Sequence, residues 1–228
     1  MGHFAAAGEV LAKGLLMGGV TCRYPDLRVA LLEGGVINGA RLYNDIVGRW
    51  KKRNPAGLEN LNPANIDLAQ AQGLFQQYGD AATLAKLEQL PRSLGVGGHD
   101  IPPDVRDDFA AMGISRAEDI RDRFIPNFYF GCESDDSLAF TAFNRKANPF
   151  GDQVRAVMSF DLGHWDVLDM GHAAAEAYEQ LEHDLISEED FRNFAFSFSV
   201  QLYAGNNPGF FDGTRIADAV KAELHSTA

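Results

Sequence analysis

The chain reads as an α/β protein built on a short parallel sheet, an expectation that rests on three observations. Three apolar runs, β-branched or aromatic in part, stand out at residues 27–32, 128–132 and 154–160. Helix-patterned segments separate them, the order of right-handed βα units on a parallel sheet. Each run ends on a carboxylate: Glu33, Glu133 and Asp161. Strands of one parallel sheet share a direction, so these ends are expected along one rim, where α/β folds keep their chemistry.

Taken in order, residues 4–17 are Ala- and Leu-rich and helical in pattern, and Gly18-Gly19 ends them. Tyr24-Pro25-Asp26 is a turn that leads into the first strand, which stops at Glu33-Gly34-Gly35. A long helix comes next, with Leu42, Ile46 and Trp50 at i, i+4 and i+8 beside Tyr43 and Val47. Residues 54–126 carry no convincing strand and read as a helical insertion within a single domain. Inside it, Asn62-Pro63 fits an N-cap with a first-turn proline, and the helix after it stops at Gly79. Asp80 caps a short helix that stops before Pro91, residues 91–103 read as a loop, and Ser115-x-x-Glu118 reads as a capping box. After the second strand, the acidic residues from Glu133 to Asp136 cap a helix. After the third, one helix carries Met170, Ala174, Ala177, Tyr178 and Leu181 on one side. Another opens at Ser187 with the core stripe Phe191, Phe194 and Phe198, and a last one runs from Thr214.

The 228 residues suffice to bury a sizeable core. The net charge of −12 argues against nucleic acid and anionic membrane, which need a basic face. The basic cluster Lys51-Lys52-Arg53 sits where a helix should end and faces its dipole. Two cysteines, Cys22 and Cys132, stand far apart and fit reduced thiols in a cytoplasmic protein. No run is long enough to span a membrane, and residues 1–4 have no secretory character.

The most informative stretch is 154–166. An apolar strand runs into Asp161, and Gly163, His164, Trp165 and Asp166 come directly after it. That pattern points to a metal or acid–base site at a strand mouth. Asp161 is the expected metal contact and general base. His164 either lines the substrate pocket or is a loop histidine packed on Trp165, which itself reads as pocket wall. Glu33 is a second rim carboxylate, read as a further metal ligand and as part of the substrate pocket, and Gly34-Gly35 behind it let backbone approach a ligand closely. Glu133 and Asp166 read as caps or structural partners. His99, in the glycine-rich loop, reads as a surface histidine or a lid residue.

Three stretches together resemble one known family. They are Gly19-x-x-x-x-Tyr24-Pro25-Asp26-Leu27-Arg28-Val29 running into Leu32-Glu33-Gly34-Gly35-Val36, then Asn127-Phe128-Tyr129-Phe130, then Ser159-x-Asp161-x-Gly163-His164-Trp165. Over roughly residues 15–212 they are similar to the amidohydrolase-related family, which holds aromatic-acid decarboxylases such as aminocarboxymuconate-semialdehyde decarboxylase. The resemblance implies a (βα)8 TIM barrel with a divalent metal, usually zinc, at its carboxyl mouth. The three strands here would be the last three of eight, so the chain is expected to be a partial barrel with a helical insertion and C-terminal helices. The family's last strand ends in an aspartate that touches the metal or its water and moves a proton, a position that Asp161 matches. The sixth strand commonly ends in a histidine, and Glu33 stands there instead. The family's His-x-His and its fifth-strand histidine would lie before residue 1, and no His-x-His occurs among the six histidines. The chain by itself is therefore expected to hold an incomplete metal site.

The expected function is the C-terminal part of a metal-dependent hydrolase or non-oxidative carboxy-lyase. Its substrate would be a small, carboxylated and possibly aromatic molecule. The alternative is a half-barrel without activity, paired with a complementing N-terminal half or with a second copy. A nucleotide-binding reading fails because Glu33-Gly34-Gly35-Val36 lacks the glycine spacing.

Overall fold

Strand β2 (Phe128–Cys132) is the centre of the molecule's sheet, and all five of its residues are buried. It pairs in parallel with β1 (Val29–Leu31) on one side and β3 (Arg155–Met158) on the other, giving the order β1-β2-β3. Val29 sits opposite Phe128, and Cys132 opposite Met158. A central parallel strand is covered on both faces, which is why β2 is an unbroken apolar run. The computed structural model describes residues 3–96 and 107–226.

The described helices are, in order, α1 (His3–Met17), α2 (Val20–Arg23), α3 (Ile37–Arg53), α4 (Pro55–Asn60), α5 (Leu68–Tyr78), α6 (Ala81–Leu84) and α7 (Leu90–Ser93). They continue with α8 (Glu118–Phe124), α9 (Ala173–Glu182), α10 (Glu188–Arg192), α11 (Phe198–Ala204) and α12 (Ala217–Ser226). A π-helical turn, Asn193–Ser197, joins α10 to α11. Two compact units result, one of Met1–Val47 with Ala111–Ala228 and one of Gly48–Ala110. Among the described residues no helix is long and apolar enough to cross a membrane.

The first unit holds the sheet. Leu42, Tyr43, Ile46 and Val47 of α3 are all buried, as their helical spacing requires. Tyr43 stacks on Phe124 of α8 with ring centres 5.0 Å apart, and Phe124 meets Phe128 at 5.2 Å. Met112, Ile120 and Phe124 belong to this core, so the stretch from residue 111 onward sides with the sheet. The second unit is helical in its described part. Trp50 packs edge-on against Phe109, with ring centres 5.2 Å apart.

Several local expectations shift. Asn62 caps only a 3-10 turn, Pro63–Asn65, and α5 starts later under Asp67. Pro91 opens α7 instead of ending a helix, since a first-turn proline has no amide to lose. The expected box of Ser115 with Glu118 does not form: Asp119, in the first turn of α8, receives the Ser115 and Arg116 amides at 2.8 and 3.1 Å, and Ala117 at the N-cap offers no side-chain bond. Beyond β2 the expected capped helix is a 3-10 stretch, Ala139–Phe143, with no side-chain cap; Asp136 accepts the Leu138 amide at 3.0 Å in the turn before it. On α9 the buried residues are Ala173, Ala177 and Gln180 and Tyr178 is exposed, while Met170, also exposed, lies before the helix begins. The small alanines let α9 pack closely, and the larger residues are left outside. Ser187 and Asp190 form the capping box of α10. His99 and most of its loop lie outside the described residues.

Candidate functional site

The rim is set by three strand ends and by glycines that let them converge. Gly131, in β2, has no room for a side chain: a Cβ there would come within 3.0 Å of the Ser159 side chain and 3.1 Å of the Leu32 backbone. Behind Glu33, Gly35 takes φ 66° and donates its amide to Gly131 O at 3.2 Å. Its Cβ would strike the Asp136 carboxylate at 2.7 Å. Beyond β3, the Ser159 amide donates to Cys132 O at 3.0 Å, and the chain then turns out of the sheet. Glu33 and Asp161, two and three residues past the ends of β1 and β3, both adopt left-handed backbone, at φ 60° and 50°. For residues with a Cβ this conformation costs about 1–2 kcal/mol.

The turn after β3 gathers the polar groups. His164 N donates to Asp161 O at 3.0 Å, closing the turn. The His164 ring then meets two carboxylates with one nitrogen: Nδ1 lies 2.5 Å from Asp166 Oδ1 and 3.3 Å from Asp161 Oδ2. These three residues are the one His/Cys/Asp/Glu group among the described residues whose donor atoms all lie within 4.8 Å of one another. All three are exposed, with side-chain accessibilities of 38% to 56%.

The electrostatics tie the strand ends together. The His164 imidazole is raised above its ordinary 6.5, first by its hydrogen bond to Asp166 and then by the charges of Asp166, Asp161 and Glu33. Asp166 is lowered in return by the same bond. Glu133 is raised by burial first, then by Asp135, Asp161, Asp166 and Glu33. Glu133 and His164 therefore both feel the charges of Glu33 and Asp161. Cys132 is buried, and its thiol is pushed well up by that burial and by Asp136, so it is no nucleophile.

The residues expected from the sequence separate into two groups. Asp161 and His164 come together directly, and Glu33 joins them through its charge. Trp165 does not form a wall of an enclosed pocket: it is 82% exposed, its ring 6.0 Å from that of His164. Asp166, expected to be a cap or structural partner, is the closest partner of His164. Its place two residues after a histidine and five after a strand-end aspartate was the available signal.

No family model, curated protein or solved structure matches this chain. What the site can hold is therefore argued from its donors. One imidazole and two carboxylates make the three protein ligands that a catalytic zinc takes, with a position left open. The 3.3 Å between His164 Nδ1 and Asp161 Oδ2 suits two ligands of one ion, given metal–ligand bonds of about 2.0–2.2 Å. The 2.5 Å contact to Asp166 is a hydrogen bond, and a metal would take the place of its proton. The donor set fits a divalent cation.

Proposed function

We propose that the chain carries part of the centre of a metal-dependent hydrolase or non-oxidative carboxy-lyase of the amidohydrolase-related kind, its strands forming part of a (βα)8 barrel. The observation that carries this reading is the meeting of Asp161, His164 and Asp166 at the carboxyl end of a parallel strand, on a rim shared with Glu33 and Glu133. The metal ligands would be Asp161, His164 and Asp166, with Glu33 in reserve on the same rim.

A divalent ion such as zinc, when bound, supplies polarisation of the substrate and an activated water. The protein's own part falls to named groups. Asp161, at the mouth of β3, would be the group that takes the proton from the activated water and returns it. In the metal-free chain Asp166 holds the His164 ring through its bond to Nδ1, and both groups would turn to the ion when one binds. Trp165 and Leu162, both exposed beside the triad, offer an apolar surface to a ring-bearing substrate. The leading charges on His164 and Glu133 are carboxylates, so a carboxylated substrate depends on the metal for its counter-charge.

One observation favours a second reading, a half-barrel that binds a partner and has no activity of its own. The triad is open to water, and a water-filled site gives up the strong electrostatics that catalysis uses. Calorimetric titration of the full chain with zinc tests both. We expect one zinc per chain, bound weakly, and no binding by Asp161→Asn or His164→Ala. Turnover of aromatic carboxylates by the zinc-loaded chain supports the enzyme reading, and binding without turnover supports the half-barrel. No zinc binding at all overturns the metal centre and with it the enzyme reading.

A further inference from the structure

A groove of about 620 Å³, the size of a small-molecule site, opens on the side of α9 away from its buried Ala173 and Ala177. Its walls come from α9, from α10 with the π-helical turn after it, and from the end of β3. Small side chains make the hollow. Ala174 and Ala175 of α9 and Ala195 of the π-helical turn leave space beside Met158, the last residue of β3. Helical turns of this π type recur at functional sites.

Aromatic rings and carboxylates complete the lining. Tyr178 of α9 and Phe191 of α10 meet at 87°, with ring centres 5.1 Å apart. Two perpendicular rings so placed form a corner in which one point lies within about 6 Å of both centres, the reach of a cation–π contact. Glu179 and Glu182 line the groove on the same side of α9 as Tyr178. No lysine or arginine is among the lining residues, and neither glutamate has an ion-pair partner among the described residues.

We infer that this groove binds a small organic cation, an ammonium head joined to an apolar body. Charge selects the head. Ring faces and carboxylates all present negative potential, so an ammonium in the corner satisfies both at once. An anion would meet two uncompensated carboxylates. A neutral apolar molecule would strip water from them and give no partner in return. Shape selects the body, which lies on Met158 and the three alanines. The inference is independent of the metal site, since the groove shares no residue with Asp161, His164 or Asp166.

Calorimetric titration of the full chain with benzyltrimethylammonium tests it, with a chelator present so that no metal takes part. The expected result is one molecule bound per chain with a Kd of about 1 mM or below. Benzyl alcohol and benzoate, which carry the ring without the cation, bind at least about tenfold more weakly. Tyr178→Leu keeps apolar volume and loses the ring. It weakens binding about threefold or more, and so does the double variant Glu179→Gln/Glu182→Gln. Tyr178→Phe keeps the ring and binds like wild type. Glu188→Gln removes an exposed charge outside the groove and shifts the affinity by less than about twofold. All these side chains are exposed, so circular dichroism stays unchanged. Absence of saturable binding overturns the inference. So does benzyl alcohol or benzoate that binds as tightly as the cation, or binding that survives both Tyr178→Leu and the double variant. A loss in Glu188→Gln equal to that of the double variant overturns it too, because attraction would then come from the net charge and not from the groove.

Discussion

Glu33 and Asp161 sit in left-handed backbone at φ 60° and 50°, although glycines stand within two residues of each. Glycine would adopt those angles without the penalty of about 1–2 kcal/mol that a Cβ brings. Strain of this kind concentrates where side chains serve a site. Asp161→Gly is therefore expected to leave stability unchanged or raise it by about 1 kcal/mol while removing zinc binding. Urea unfolding and calorimetry read the two effects separately, and a marked loss of stability would contradict the strain argument. The neighbouring histidine sets the pH dependence. Its proton is held more tightly in the folded chain, so its ion pair with Asp166 stabilises the fold at low pH. That contribution fades as pH rises through the raised folded value. A metal competes for the same nitrogen, so zinc affinity should climb as pH rises, with a midpoint above 6.5. Asp166→Asn should move that midpoint down and also weaken binding at every pH, since it removes a ligand, and zinc titrations at a series of pH values measure both.

At the level of elements, caps decide boundaries that periodicity leaves open. Asp119 gathers the Ser115 and Arg116 amides and the Ser115 hydroxyl, and these bonds hold its carboxyl down to about 2. Its folded value lies below the ordinary 3.8, so its contribution is complete above that pH and is lost as pH falls toward 2. Asp119→Asn should cost about 1 kcal/mol near neutrality, and the gap to wild type should close between pH 4 and 2 in urea melts. The sequence made the existence of this helix legible but not which carboxylate gathers these amides, because Ser115 has one both three and four residues ahead. Helix α3 was fully legible, its long apolar stripe leaving one solution. Around α9 the pattern misled: Met170 and Tyr178 weigh heavily in an apolar count, yet the close-packed side is Ala173 and Ala177. The site was legible as far as the strand ends. Asp161 and Glu33 are implied by parallel strands, whereas the Asp166 contact depends on how a turn folds, which no periodicity encodes.

Considered whole, the molecule leaves its sheet unfinished. Three parallel strands cannot close on themselves, so β1 and β3 keep outer edges that no described strand pairs. At the same end, Leu162, Trp165, Leu168 and Met170 are 60%, 82%, 95% and 55% exposed within nine residues. Apolar side chains crowded around an open acidic triad form the kind of surface that a covering polypeptide buries. The two tryptophans turn this into a measurement. Trp50 is 6% exposed and Trp165 is 82% exposed. Acrylamide should therefore quench the chain's fluorescence in two distinct fractions, the accessible one emitting at longer wavelength and vanishing in Trp165→Phe. A partner that covers this surface should shift that fraction to shorter wavelength, shield it from quencher and tighten zinc binding together, since one covering event buries the indole and keeps water from the triad. If zinc binds tightly to the isolated chain while Trp165 stays fully quenchable, the triad needs no cover, and the exposed apolar residues beside it serve some other contact.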